Sequence, residues 1–392
     1  MKNSKLIFTM MRLIRFEIAK KRDENVCFEL SDADIKGLFR VSKAHDIAHL
    51  IGFALEENNL LVNKNQITND FRTASMMAIS RYEQLNYEFG RICKVFEDEK
   101  IPFVPLKGVA LWKFYPEPWM RTCCDIDILI HERDLKRAIV GLNEKLSYKT
   151  DGRGPHDVGL LSPFGQRLEL HYNLIEDYYI GEASHPLENV WEHIIAVPDS
   201  VQCRMTDEMF YYYHIAHMAK HCIGGGCGIR TFIDLWILNH CIPYDGKKRD
   251  DFIRENGLSA FERAARNLSD FWFSDGQPDE LTEMMQDYIV AGGIYGNAEN
   301  RVASRRQNKV GKFRYMLSRV FLPYSLLKEQ YPILKKHKLL LPIMQVRRWF
   351  RLIFKGRTRY ALHEMKVSRS LSDEQRLTVG KMMEKLGLKI HN

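Results

Sequence analysis

Apolar residues in the first hundred positions recur every three or four places. In RYEQLNYEFGRICKVF, Tyr82, Leu85, Phe89, Ile92 and Phe96 make one apolar stripe of a helix that ends before the turn-like EDEK. A similar, weaker pattern covers residues 32–61, where SDADIKGLF offers Ser31 or Asp32 as the N-cap. The texture changes at residue 101. IPFVPL (101–106), bounded by Gly108, predicts a buried strand entering a turn, and VALWKFY a short helix stopped by Pro116. DIDILI (125–130) predicts a second strand and ERDLKRAIVGLNEKL (132–146) an amphipathic helix. HDVGLLS (156–162) and RLELHYN (167–173) read as paired strands around a PFGQ turn. From about residue 185 the helical pattern returns and runs to the end, with breaks near CIGGGCG, AGGIYGN and the Pro323 and Pro332 region. The expected fold is α+β, a small mixed β-sheet core inserted between predominantly α-helical segments. The expected boundaries are 1–98 (helical), 99–180 (α/β core), 181–300 (helical) and 301–392 (basic and helical).

Composition leaves this picture intact. In 392 residues, 45% are hydrophobic and 28% charged, which excludes wholesale disorder. No run of about 18 uncharged apolar residues occurs, so no transmembrane helix is expected. Arg12 and Arg15 interrupt the apolar start, which is not read as a signal peptide. The eight cysteines form no CxxC pair, and their irregular spacing favours reduced thiols and a cytoplasmic setting. Charge is segregated: residues 301–392 hold 23 Lys and Arg against 5 Asp and Glu, the first 300 residues 35 against 45. Such a basic tail suits nucleic acid, an anionic membrane surface or a phosphorylated substrate, or else a solvated helical face packed on the acidic remainder.

The chemistry centres on DIDILI. Side chains alternate along a strand, so Asp125 and Asp127 share one face while Ile126 and Ile128 take the other. Buried together, two carboxylates need a cation, and oxygen ligands of this kind suit Mg²⁺, or Mn²⁺ in its place, with substrate phosphates completing the shell. Glu169 sits between Leu168 and Leu170 and emerges on one face with His171. If its strand neighbours DIDILI, three carboxylates converge, as two-metal phosphoryl chemistry requires. Upstream, Gly108 at a strand-to-helix turn lets backbone amides approach a phosphate, and Lys107 and Arg121 can neutralise a triphosphate.

LKGVALWKFYPEPWMRTCCDIDILI, followed by LELHYN and HIAHMAKHCIGGGCGIRTFIDLWIL, resembles the uncharacterised nucleotidyltransferase family of the polymerase-β-like superfamily over roughly residues 75–240. The resemblance implies that Gly108, Asp125, Asp127 and Glu169 fill the places of the superfamily's glycine turn, DxD strand and third acid. It also implies NTP as donor substrate. Val109 stands where a small polar residue usually follows the glycine.

His214, His217 and His221 lie on one face of a predicted helix. As zinc ligands they would span about 10 Å, too far for one ion. The resemblance implies a histidine-rich helix here, so packing against the sheet, or lining an acceptor pocket with His171, is expected. Arg230 and Asp234 read as an i, i+4 salt bridge. LLLPIMQVRRWFRLIF (339–354) suits an anionic membrane surface, although a packed helix with snorkelling arginines is the more ordinary account. The leading expectation is a nucleotidyltransferase moving NMP from an NTP to a hydroxyl of a small molecule, protein or RNA. The alternative, favoured by Val109, is a catalytically degenerate nucleotide-binding or scaffold protein that contacts nucleic acid or membrane through residues 301–392.

Overall fold

The computed structural model describes residues 2–20, 29–61, 65–175, 177–305, 317, 320–331, 333–354, 364, 366–368 and 370–388. The expected break at Pro332, Cys27 and part of the basic C-terminal region lie outside these residues.

Four helices precede the sheet: α1 (Lys2–Ala19), α2 (Asp32–Ala44), α3 (Ala48–Glu57) and the long α4 (Gln66–Asp98). Ser31 caps α2 through a reciprocal box with Asp34, and the Asn65 side chain accepts from the Thr68 amide at the start of α4. Of the apolar stripe on α4, Leu85, Ile92 and Phe96 are buried, while Tyr82 and Phe89 meet the Trp112 ring edge-on at centroid distances of 5.3 and 6.2 Å.

The sheet follows as β1 (Phe103–Pro105), α5 (Lys107–Leu111), β2 (Asp125–Ile130), α6 (Leu135–Leu146), β3 (Lys149–Arg153), β4 (Asp157–Leu161) and β5 (Arg167–His171). Its strand order is β1-β2-β5-β4-β3. Only the β2–β5 pair is parallel, which makes the sheet mixed. That parallel pair sets Asp127 opposite Glu169 and Leu129 opposite His171. The chain continues through the short α7 (Asp177–Ile180) and α8 (His185–Glu188) to a two-stranded ribbon, β6 (Ile194–Ala196) and β7 (Cys203–Met205). This ribbon departs from the all-helical reading beyond residue 185: each strand is only three residues, too short to establish a period of two. Then come α9 (Asp207–Ile223), α10 (Gly228–His240), α11 (Gly246–Glu255), α12 (Ser259–Phe273), α13 (Glu280–Gly292) and α14 (Ala298–Arg305).

The α+β architecture thus holds, and two hydrophobic clusters explain its layering. Ile126, Ile128 and Ile130 of β2 pack with Ile92 and Phe96 of α4 and Ala138 and Leu142 of α6. Leu129, on the opposite face of β2, joins a larger cluster with Leu13 of α1, Ile51 of α3, Ile215 of α9 and Phe261 of α12. The helices before and after the sheet therefore share one core. DIDILI is buried on both sides, and its acidic face turns toward the helical body.

Candidate functional site

β2 delivers Asp125 and Asp127, and β5, paired beside it, delivers Glu169 and His171. Alternation puts all four on one face. One ligand atom each from Asp127, Glu169 and His171 lies within 4.8 Å of the others, and among the described residues this is the group able to hold a metal ion. Asp125 stands one pleat back on β2, opposite Arg167 and outside that group. Two oxygen donors and one imidazole suit a divalent cation.

β1 ends in a turn that brings Lys107 over the acids. The Leu106 amide donates to the Asp127 carbonyl (2.9 Å), and Lys107 itself adopts a left-handed backbone (φ 46°). Its Nζ lies 2.9 Å from Asp127 Oδ1, the same oxygen that accepts from His171 Nε2 at 2.8 Å. Burial pushes the Asp127 carboxyl upward, but the Lys107 charge and the His171 hydrogen bond outweigh it and hold it well below the usual carboxylate range. For Asp125, burial and then the Asp127 charge raise the pKa, with Lys107 offsetting part. Burial disfavours the Lys107 ammonium, yet contact with Asp127 keeps its pKa above the ordinary lysine value. Glu169 accepts from Arg167 Nε at 3.0 Å, and Arg167 Nη1 also reaches Asp151 at 2.9 Å.

Several expected positions turn out differently. Arg121, expected at the phosphates, is buried, with Nε 2.7 Å from Asp234 Oδ1 and Nη1 donating to the Thr122 carbonyl. Tyr115 donates to the same Asp234 oxygen at 2.6 Å. Asp234 is therefore not paired with Arg230. Arg230 Nη1 reaches Asp46 Oδ2 at 2.8 Å and the Thr122 carbonyl at 2.9 Å, and its charge acts on Asp125 to lower its pKa. Gly108 is closed by protein on its side-chain side: a Cβ there would lie 2.9 Å from Cys123 Cβ and 3.0 Å from its Sγ. Val109 is buried in the sheet cluster, so its side chain faces the core. Burial pushes the Cys123 thiol up to about 12.

The histidine helix α9 divides its residues. His214 bonds through Nε2 to the Thr231 carbonyl of α10 (3.0 Å), a packing role. His217 and His221 bond to each other, Nε2 to Nε2, at 3.1 Å. Burial lowers His221 to about 4, and the nearby Lys220 and Lys107 charges act in the same direction. Burial, then His221 and Lys107, hold His217 well below its ordinary value. Both imidazoles are neutral beside Lys107. His171, expected in the acceptor pocket, instead stands with the carboxylates. Sequence reading missed Arg167 and Arg230; the signal for Arg167 was its place two residues before Glu169 on the same strand face.

A cavity of about 320 Å³ opens between α2, α3 and α4, lined by Phe39, Asp46, His49, Met77, Arg81 and Thr122 among others. Arg81 Nη1 approaches Sγ of Cys124, the residue before Asp125, at 3.8 Å.

A small mixed sheet flanked by helices, presenting acids from two adjacent strands, is consistent with a nucleotidyltransferase domain. The chain belongs to the uncharacterised nucleotidyltransferase family, whose profile matches residues 31–273, more than half of its length. It is a transferase of nucleotidyl groups. Neither a curated protein nor a solved structure is significantly similar to it.

Proposed function

We propose that the protein transfers NMP from an NTP to an acceptor hydroxyl at the Asp125–Asp127–Glu169 face, with pyrophosphate leaving. The observation that carries this reading is the convergence of Asp127, Glu169 and His171 within 4.8 Å, directly beneath Lys107. Mg²⁺ or Mn²⁺ held by Asp127 and Glu169, with Asp125 adding a carboxylate, would neutralise the triphosphate and acidify the attacking hydroxyl. Lys107 is close enough to exchange Asp127 for phosphate oxygens when substrate arrives. Arg230, whose pair with Asp46 is less deeply buried than the Arg121–Asp234 pair, is the guanidinium proposed to reach the phosphates. His171 fixes the Asp127 carboxylate by its hydrogen bond. The neutral His217–His221 pair and the cavity bounded by Met77 and Arg81 are the proposed surroundings of the acceptor and the base. Positioning and charge complementarity carry the rate in such a site.

The test is incubation with each labelled NTP and Mg²⁺ or Mn²⁺ against metabolite, RNA and protein pools. Label must enter a product with the native chain and be lost in Asp125→Asn and Asp127→Asn; product that persists in both variants refutes the mechanism. A second reading, an NTP-binding protein without turnover, draws on the internal neutralisation of Asp127 by Lys107 and of Glu169 by Arg167. Calorimetry showing Mg²⁺-dependent NTP binding that needs the aspartates, with no product, would favour it.

A further inference from the structure

The segment from Gln330 to His363 contains nine Lys and Arg and no Asp or Glu. Its central helix is Leu341–Phe354, and one of its faces packs on the segment before it. Met344 packs with Leu322, Leu327 and Tyr331; Gln345 donates to the Leu322 carbonyl, and Trp349 Nε1 to that of Val320 at 2.8 Å. The opposite face carries Ile343, Val346 and Phe350, with 58, 43 and 55% of their surfaces exposed, and Leu339, in the 3-10 turn Lys338–Leu340 just before the helix, is 95% exposed. At 100° per residue the three helical residues fall within an arc of about 60°, so they form one ridge, about 10 Å long at 1.5 Å per residue, which Leu339 precedes in the chain. Seven of the 19 exposed large hydrophobic side chains among the described residues lie between Leu317 and Phe350, so the exposure is concentrated here.

The border of the ridge is basic. Arg347 and Arg351 lie over the Tyr331 ring at 5.8 and 5.4 Å, and Lys338 over that of Tyr324 at 5.5 Å. None of these three is in an ion pair among the described residues. No helix among the described residues is long and apolar enough to cross a membrane. An apolar ridge bordered by cations that make no ion pair among the described residues, on a helix anchored by its other side, is the pattern of a helix lying in a bilayer interface. A nucleic acid would be met by polar contacts and stacked rings, and the aliphatic Leu339, Ile343 and Val346 supply neither.

We propose that the ridge Leu339–Ile343–Val346–Phe350 docks the protein onto an anionic lipid surface, its side chains entering the headgroup boundary while Lys338, Arg347 and Arg351 meet lipid phosphates and carboxylates. This inference does not depend on the transferase reading. The full chain is sedimented with vesicles of phosphatidylcholine alone, and of three parts phosphatidylcholine to one part phosphatidylserine, at low and high salt. Binding should require the anionic lipid and fall with salt. It should weaken about tenfold or more in Ile343→Asp plus Val346→Asp, with the thermal melt unchanged. Ile343→Gln plus Val346→Gln, which adds no charge, should weaken it in the same direction and decides the matter if the aspartate pair does not fold. Failure of the native chain to bind anionic vesicles overturns the proposal. So does binding that survives loss of the apolar pair but not Arg347→Glu plus Arg351→Glu, the behaviour of a site for a soluble polyanion such as RNA.

Discussion

The Lys107 ammonium rests 2.9 Å from Asp127 Oδ1, with only 5% of the aspartate side chain exposed. An internal cation thus sits on the carboxylate that the proposed metal site needs, and the two must compete. Mg²⁺ should raise the melting temperature of the native chain, since a ligand at about a hundred times its Kd stabilises by about 2.7 kcal/mol. Lys107→Met removes the competitor and should enlarge that Mg²⁺-induced shift, whereas Asp127→Asn should abolish it. Differential scanning fluorimetry with and without Mg²⁺ reads the order directly, and equal shifts in all three chains would remove Asp127 from the ligand set.

Arg121 and Asp234 call for a different experiment because their role is structural. Asp234 is buried and accepts from both Arg121 and Tyr115. Asp234→Asn leaves a buried guanidinium without its counter-charge and should cost about 3–5 kcal/mol in urea unfolding. Tyr115→Phe, which removes one hydrogen bond, should cost about 1 kcal/mol. If Arg121 instead serves the phosphates, Arg121→Met would raise the KM for NTP at unchanged stability. The expected result is the reverse.

Gly108 separates packing from phosphate binding in a similar way. The Cβ added by Gly108→Ala meets Cys123 Cβ at 2.9 Å, backed by the sheet cluster, and should destabilise by about 1–3 kcal/mol. Cys123→Gly in the same chain opens that space and should restore part of the loss. Cys123→Ala keeps the Cβ and should restore less. Thermal melts of the four chains test this, and a Gly108→Ala chain that melts like the native one while losing NTP affinity would return the glycine to the phosphate role.

Local pattern was enough to read the strands. RLELHYN alternates strictly, DIDILI alternates over its first four residues and HDVGLLS is short and apolar between turn residues, and their pairing brought Glu169 opposite Asp127, as the shared face of the acids required. What local pattern does not carry is the partner of a charge. Arg121 and Asp234 stand 113 residues apart, and Arg230 meets Asp46 across 184, so the i, i+4 spacing of Arg230 and Asp234 pointed to a bond that neither makes. The glycine of LKG has the same history: its neighbour Cys123 arrives only when the loop before β2 folds back over α5. For the helix Leu341–Phe354 the packing partners were likewise not legible locally: Met344 and Gln345 meet Leu322, and Trp349 meets Val320, more than twenty residues earlier in the chain.

Glu17 on α1 is fully buried, and neither of its carboxylate oxygens has a hydrogen-bond partner among the described residues. Burial, and then the charge of Glu57, push its pKa up from 4.5 to about 7, with Lys20 opposing. A raised carboxyl favours the protonated folded state. Its contribution to stability is complete below about pH 4.5, drains away as pH rises through about 7, and is absent above. At ~1.4 kcal/mol per pH unit across that window, the loss is on the order of 3 kcal/mol. Glu17→Met, similar in size and without charge, should be free of it. The stability difference between variant and native chain should therefore grow by about 3 kcal/mol between pH 4.5 and pH 8, measured by urea unfolding at each pH. Because every other titrating group is common to both chains, a difference that stays constant over this range would mean that the Glu17 charge is compensated within the fold.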